Sequence, residues 1–335
     1  MLIEKIKEKK LKFLVTGATG FIGQRVVCQL VKKNISVVAT DVILSNESNN
    51  LINRIKNSGL DSDLLEVKEL DISKQNNINQ IFTQEEFSHV ICCGYQMSNM
   101  IDNNPVRGAE INIIGMTNLF EAAIKYKIQR LVFPSSESVY GTSQKIYGDR
   151  PVKEDDYCGL QHHLFTYAVM KLLNEFMAQK YVKTHSISIA CTRPSVVFGY
   201  GRKRSSLMWA EDFATLPALG KPVHLPFPED NKDNWIYVED CAEQMVQLAI
   251  KEKINHFVYN TGSETVSGKE LAAIIKQIVP EAQITFDNSA AYTPFIDVQD
   301  DKRIREELLF KPRSLKEGIL AHMNEARKAN NLPEL

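Results

Sequence analysis

The chain has 335 residues, 44% of them hydrophobic and 24% charged, with a formal net charge of −1. That length can bury a large core, as two domains or as one large α/β domain with an added lobe. The balanced charge argues against nucleic acid or an anionic membrane as partner, and no apolar run has the length to cross a bilayer. Residues 1–12 alternate in charge without a signal-peptide core, so a cytoplasmic protein is expected. Cys28, Cys92, Cys93, Cys158, Cys191 and Cys241 lie mostly in apolar segments and form no C-x-x-C pair. They read as reduced, packed thiols, and no metal site is expected.

Phe13-Leu-Val-Thr-Gly-Ala-Thr-Gly-Phe-Ile-Gly23 reads as strand, tight turn and helix. Gly17 takes the turn, Gly20 lets a pyrophosphate approach the backbone, and Gly23 lets the helix pack closely on a sheet. The helix, through Val26, Val27 and Leu30, would aim its N-terminal N–H groups at phosphates. The spacing is G-x-x-G-x-x-G rather than G-x-G-x-x-G, so a plain glycine-rich helix cap is the competing reading. A second strand, Ser36 to Thr40, ends on Asp41 at the distance where a ribose-binding acid is expected. Asp41 would accept from the ribose hydroxyls and repel a 2′-phosphate, selecting NAD over NADP; an ordinary acid at a strand end is the alternative.

Asn46 to Asn57 suits a loop and short helix. Leu64–Leu70, His89–Cys93, Arg130–Pro134 and Ser186–Thr192 are strand-like, with helical periods between them. Such alternation predicts an α/β fold with a parallel sheet and right-handed crossovers. Residues 11–192 would form the nucleotide-binding domain. Beyond Arg193 prolines punctuate the chain, so 193–335 would be mainly a substrate lobe, with segments near 234–260 returning to the first domain.

The chemistry centres on Tyr167-Ala-Val-Met-Lys171, where helical spacing puts phenol and ammonium on one face. A neighbouring cation and an oxidised nicotinamide would both favour the phenolate and bring it below its ordinary pKa of ~10. Tyr167 would then exchange a proton with a substrate hydroxyl. Upstream, a strand ends in Ser135-Ser-Glu-Ser-Val-Tyr-Gly141, where α/β sheets place their ligands, and Ser136 would hydrogen-bond the reacting oxygen. Taken singly, such a Tyr/Lys pair is more often surface packing and such serines are more often turns.

Together these residues resemble the extended short-chain dehydrogenase/reductases, the NAD-dependent epimerase/dehydratases. The likeness runs through Thr16-Gly-Ala-Thr-Gly-Phe-Ile-Gly23, Asp71-Ile72, Asn112-Ile-Ile-Gly-Met-Thr-Asn-Leu-Phe-Glu-Ala122, the serine cluster, Tyr167 with Lys171, and Arg193-Pro-Ser-Val-Val-Phe-Gly199. It continues through Trp235-Ile-Tyr-Val-Glu-Asp240, Asn260-Thr-Gly262 and Leu308-Leu-Phe-Lys-Pro-Arg313. The resemblance implies a Rossmann-type doubly wound parallel sheet with a smaller C-terminal substrate lobe. It also implies an NAD site made by Gly17, Thr19, Gly20, Phe21, Ile22, Gly23, Asp41 and Asn112. Asp71 and Ile72 would approach the adenine, Cys92, Cys93 and Gly94 would line the cofactor's middle, and Tyr167 and Lys171 its nicotinamide end. Ser136, Tyr167 and Lys171 would be the catalytic residues.

Departures from the family pattern bear on substrate. Nucleotide-sugar enzymes of the family usually carry Asn where this chain has Val196, and a diphosphate-binding Arg where it has Asp233. An acid there would repel a diphosphate. The family's dehydratases follow the catalytic hydroxyl with Asp-Glu; here Ser136 is followed by Glu137 and Ser138, which argues against dehydration. The first reading is therefore a dehydrogenase or reductase of a small non-nucleotide alcohol or ketone, such as a hydroxy acid or sugar derivative. The alternative is a sugar or nucleotide-sugar epimerase with tightly bound NAD. Intact Ser136, Tyr167 and Lys171 argue against a non-catalytic nucleotide sensor. Ser135, Glu137, Ser138, Val196, Asp233, Arg202 and Arg204 are the candidate substrate residues, the two arginines for a carboxylate or phosphate if their loop faces the pocket. His162 and His163 precede the catalytic helix and either face the pocket or belong to an ordinary loop. Helices over Val106–Tyr126 and Phe165–Lys183 carry more apolar surface than one sheet needs, and in relatives such helices pair into a four-helix bundle, so a homodimer is expected.

Overall fold

The computed structural model describes residues 11–42, 46–202 and 207–335. Its strands are β1 (Lys12–Thr16), β2 (Ser36–Asp41), β3 (Leu65–Glu69), β4 (His89–Cys92), β5 (Arg130–Pro134), β6 (Ile189–Pro194), β7 (Val196–Phe198), β8 (Val223–Leu225), β9 (Lys232–Tyr237), β10 (Val258–Thr261), β11 (Glu264–Ser267) and β12 (Ile284–Phe286). The helices are α1 (Phe21–Lys32), α2 (Asn46–Asn57), α3 (Gln75–Gln84), α4 (Ser98–Asn103), α5 (Pro105–Ala109), α6 (Met116–Lys125), α7 (Thr166–His185), α8 (Trp209–Ala218), α9 (Val238–Ile250), α10 (Gly268–Ile278), α11 (Lys302–Leu308) and α12 (Leu315–Ala329).

The main sheet has the order β10-β6-β5-β4-β1-β2-β3, with every pair parallel. Successive residues of a strand face opposite sides, and here both sides are buried. Leu14, Val38, Val90 and Leu131 face the core closed by α3, α6 and α7. Phe13, Val15, Val37, Ile91 and Val132 face the core closed by α1 and α9. The strand order reverses between β1 and β4, and a crevice opens there at their carboxyl ends, as open α/β sheets require. This is the Rossmann-type doubly wound arrangement.

The smaller sheets, β11-β9-β7 and β12-β8, gather with α8, α10 and α12 around Phe198, Phe213 and Trp235. The segment expected to return to the main sheet divides in three: β9 stays in the three-stranded sheet, α9 carries the chain back against α1, and β10 joins the main sheet beside β6. The strand expected over Ser186–Thr192 begins later, at Ile189, because α7 runs through His185 and is closed by Ser186 in a left-handed conformation with φ 55°. Asn46–Asn57 is a single helix. Among the described residues no helix is long and apolar enough to cross a membrane.

Candidate active site

Gly17 has φ +62°, and a Cβ there would lie 2.4 Å from the Gly94 amide nitrogen. Only glycine lets the turn after β1 press against the loop after β4. A Cβ on Gly23 would lie 2.1 Å from the Gly17 carbonyl oxygen, so this position seats α1 on the same turn. No side chain caps the α1 N-terminus, whose N-cap is Gly20, and Phe21 and Ile22 face the cleft. The backbone N–H and hydroxyl of Thr19 donate to Asp41 Oδ2 at 3.2 and 2.6 Å, and the Val42 N–H donates to Oδ1 at 2.8 Å. Thr19 therefore latches the turn to the end of β2.

The residues further along this crevice divide in role. Asp71 accepts from the Ser73 N–H and hydroxyl and pairs with Arg107 at 2.7 Å. Burial works to raise its carboxyl, but Ser73 and Arg107 outweigh it and hold the group below the usual range. Arg107 carried no sequence signal, because the contact joins α5 to a loop 36 residues earlier. Ile72 is buried in the core. Asn112 is fully buried: its Oδ1 accepts from the Gln96 N–H at 2.8 Å and its Nδ2 donates to the Gln96 carbonyl at 3.1 Å. Its side chain thus anchors the loop after β4 and is not part of the cleft wall. Burial pushes the Cys92 and Cys93 thiols up, which keeps them neutral, and Cys93 faces the cleft.

The crevice continues into a cleft of about 350 Å³ whose wall includes Ser135, Ser136, Glu137, Ser138, Tyr167, Lys171, Val196 and Arg202. Elements distant in sequence deliver these groups: the end of β5, the first turns of α7 and the segment after β7. Ser136 lies beside the Tyr167 phenol and acts to lower it, and its Oγ accepts from the Ser138 N–H and hydroxyl at 3.2 and 3.0 Å. Burial pushes the phenol up to about 12, against the Ser136 hydrogen bond and the charge of Arg202. The expected depression by Lys171 is therefore reversed in this arrangement, because desolvation wins. The Lys171 Nζ donates to the Pro134 carbonyl at 2.6 Å and lies 3.5 Å from the Tyr95 ring centroid, against 5.5 Å for Tyr167. Burial brings this ammonium down to about 8. Tyr95, absent from the sequence reading, stacks edge-on against Tyr167 at 5.6 Å between centroids and receives a hydrogen bond from Asn174. Behind α7, Arg193 and Glu175 form a buried two-point ion pair at 3.0 and 2.6 Å.

On the substrate side, Arg202 faces the cleft, with its backbone N–H held by Glu211 and its guanidinium bonded to the Val197 carbonyl. Arg204 lies outside the described residues. Asp233 stands elsewhere than the diphosphate argument implied: it is 2% exposed and is not part of the cleft wall. Its carboxyl accepts from Asn231 and Thr293 at 2.8 and 2.7 Å, clamping β9 to the segment before Pro294. Its field still reaches Glu137. Val196 is buried at the wall, and neither His162 nor His163 lines the cleft. Among the described residues no group of His, Cys, Asp or Glu side chains could hold a metal.

These residues fit a dinucleotide. Among the described residues no side chain caps the helix N-terminus beside Gly20, Asp41 stands at the end of β2, and the buried hydroxyls of Ser135 and Ser195 on the cleft wall have no hydrogen-bond partner. The sequence pattern of the NAD dependent epimerase/dehydratase family matches residues 13–262. A putative UDP-glucose 4-epimerase from Methanocaldococcus jannaschii is 27% identical over 324 residues, covering 95% of this chain and 99% of the relative. The fold is shared with the UDP-glucose 4-epimerase of Thermotoga maritima solved with UDP-glucose, at a TM-score of 0.79 and 22% identity over 96% of this chain and 100% of that one. It is also shared with an L-threonine dehydrogenase from Cupriavidus necator, at 0.78 and 18% identity over 94% and 99%. Glycine turn, sheet order and family pattern coincide over three quarters of the sequence, and the chain belongs to the NAD-dependent epimerase/dehydratase family.

Proposed function

We propose that this protein is an NAD-dependent oxidoreductase that interconverts the alcohol and ketone of a small hydroxy acid free of any nucleotide. The observation that carries this reading is Arg202, a half-buried cation on the same cleft wall as Tyr167 and Ser136. A guanidinium there can bind a carboxylate while the hydroxyl reaches Ser136 and Tyr167. The cleft is at the low end of the ~300–1,000 Å³ range of ligand pockets, which suits a small substrate. Val196 offers no hydrogen bond to a nucleotide.

NAD, bound against the glycine turn, supplies the hydride acceptor or donor. Tyr167 moves the proton: with its phenol pushed up to about 12 it holds that proton at neutral pH, ready for a ketone oxygen. In the oxidative direction the charge of Arg202 favours the phenolate that must accept the hydroxyl proton. Ser136 orients the reacting oxygen, and Asp41 selects NAD over NADP.

The test is NADH formation by the purified protein with a panel of hydroxy acids, beside UDP-sugars and neutral alcohols. Hydroxy acids should be turned over and UDP-sugars should not. The full-length likeness to a putative UDP-glucose 4-epimerase favours the second reading, an epimerase, which would invert a sugar carbon without net NADH. We also propose a homodimer, supported by Leu173 and Phe176 standing exposed on α7 and by exposed Val106 and Ile114 on the neighbouring helical stretch. The six free thiols support a cytoplasmic setting.

A further inference from the structure

The sheet order sets out a path for the cofactor. The serine cluster follows β5, the phosphate turn follows β1, and Asp41 ends β2. A dinucleotide laid across these carboxyl ends, with its ribose at Asp41, carries its base on towards β3, the next strand in that order. The Leu70 N–H donates to the Asp41 carbonyl at 2.9 Å, so Asp71 follows directly beside that acid. Its loop is seated on the helical stretch from Pro105 to Lys125. Gly115 leaves room for Ile72, whose Cγ1 would lie 2.7 Å from a Cβ there, and Asn118 donates to the Ile72 carbonyl at 2.9 Å. These two contacts fix the loop's backbone and the Ile72 side chain. The carboxylate of Asp71 is fixed by Arg107, a residue to which the function proposed above gives no part. Arg107 Nη2 donates to Asp71 Oδ2 at 2.7 Å, and its Nη1 donates to the Ser73 hydroxyl at 2.8 Å. That hydroxyl in turn donates to Asp71 Oδ1 at 2.7 Å. Glu110 accepts from Nη1 at 2.9 Å, which holds the guanidinium from its other side.

An ionised carboxylate only accepts hydrogen bonds. Adenine presents a 6-amino donor, whereas hypoxanthine carries a carbonyl acceptor at the same position. A carboxylate able to swing could turn to water beside either base. One locked in place rewards the first base and rejects the second, because a fixed polar group left facing the wrong partner finds no other. We infer that Arg107 is a positioning residue for the cofactor: by locking the Asp71 carboxylate it lets the adenosine end of the site distinguish adenine from hypoxanthine. The inference rests on the NAD reading above, including the place that reading gives Asp41.

The experiment is calorimetric titration of the purified protein with NAD and with nicotinamide hypoxanthine dinucleotide, which differ only in that base. Wild type should bind NAD tighter by roughly tenfold or more, the worth of one hydrogen bond to a charged group. Arg107→Met keeps an unbranched side chain and removes its donors. It should weaken NAD by roughly that factor, move the hypoxanthine dinucleotide little, and bring the ratio towards one. Arg107→Lys keeps one charged donor for Asp71 and should fall between; it carries the comparison alone if Arg107→Met does not fold. Equal weakening of both dinucleotides would mean that Arg107 only supports the loop, and an unchanged ratio would mean that Ser73 alone orients the carboxylate. Either result overturns the inference. So would a wild type that binds the two dinucleotides equally, with the NAD reading left standing. A wild type that binds neither would overturn that reading as well.

Discussion

Removing the charge of Glu175 tests whether the catalytic helix is held from behind. The Arg193 and Glu175 side chains are 1% and 2% exposed and meet through two charge-assisted hydrogen bonds of 3.0 and 2.6 Å. The same guanidinium donates to the Tyr140 hydroxyl at 2.6 Å and to the Glu154 carbonyl at 2.9 Å, so it has nowhere else to turn when the carboxylate is lost. Breaking one side of a buried pair costs about 3–5 kcal/mol. Glu175→Gln keeps the volume and one acceptor, which places it near the low end, at about 3 kcal/mol. For a protein with a total stability of roughly 5–15 kcal/mol that is a large fraction. At roughly 2–4 °C per kcal/mol it lowers the melting temperature by about 6–12 °C. Urea unfolding at constant slope gives the free energy, and thermal unfolding gives the shift. Because Glu175 lies one turn beyond Lys171 on α7, turnover should fall as well. A Glu175→Gln loss below ~1 kcal/mol would mean that water reaches the pair and that the argument from burial is wrong.

Tyr167→Phe keeps the ring and removes the transferable proton, so turnover should fall by roughly 10²-fold or more while NAD still binds calorimetrically. Asp41→Ser should narrow a preference for NAD over NADP; wild type binding both equally would refute the role given to Asp41. Lys171 titrates near 8 when folded against 10.5 for the free side chain, so the unfolded chain binds more protons across that window. Its contribution to stability therefore rises with pH between those values, on the order of 3 kcal/mol in full. Urea midpoints of Lys171→Met relative to wild type, measured at pH 8 and pH 10, should diverge in favour of wild type. Phe176→Glu should leave a monomer by light scattering if α7 pairs with a second copy.

The fold was legible because its signals are local. Gly17 marks a left-handed turn and Gly23 a close approach that a side chain would block, and runs such as Arg130–Pro134 match a buried strand. Strand ends were less legible where a helix competed for the same residues, as at Ser186. Contacts across long separations left no local trace: Arg107 with Asp71, Asn112 with Gln96, and Asp233 with Thr293 all depend on how loops return. The motif Asp233-Asn-Trp235 marked a position in the fold, while Thr293, 60 residues later, determines what that carboxyl faces.

Spacing also cannot state charge. Four residues separate Tyr167 from Lys171, which places phenol and ammonium on one helical face but says nothing of the solvent each gives up. In the folded protein Lys171 is buried and Tyr167 half-buried, and desolvation acts on each against its charged form: up for the phenol, down for the ammonium. The tyrosine then carries its proton by default, and a cation must act on it to release that proton. Of the two cations that the described residues place on the cleft wall, Lys171 is turned to the Pro134 carbonyl and the Tyr95 ring, whereas the charge of Arg202 already opposes the rise of the Tyr167 phenol. Arg202 thus stands where substrate charge and proton transfer meet. A carboxylate bound to it would offset the charge that favours the phenolate, so a bound acid should disfavour proton release from Tyr167 unless Lys171 compensates. Arg202→Ala should therefore raise KM for acids and also move the pH profile of kcat/KM to higher pH, since that profile reports the free enzyme's acid and base. A rise in KM with an unmoved profile would assign Arg202 to substrate binding alone.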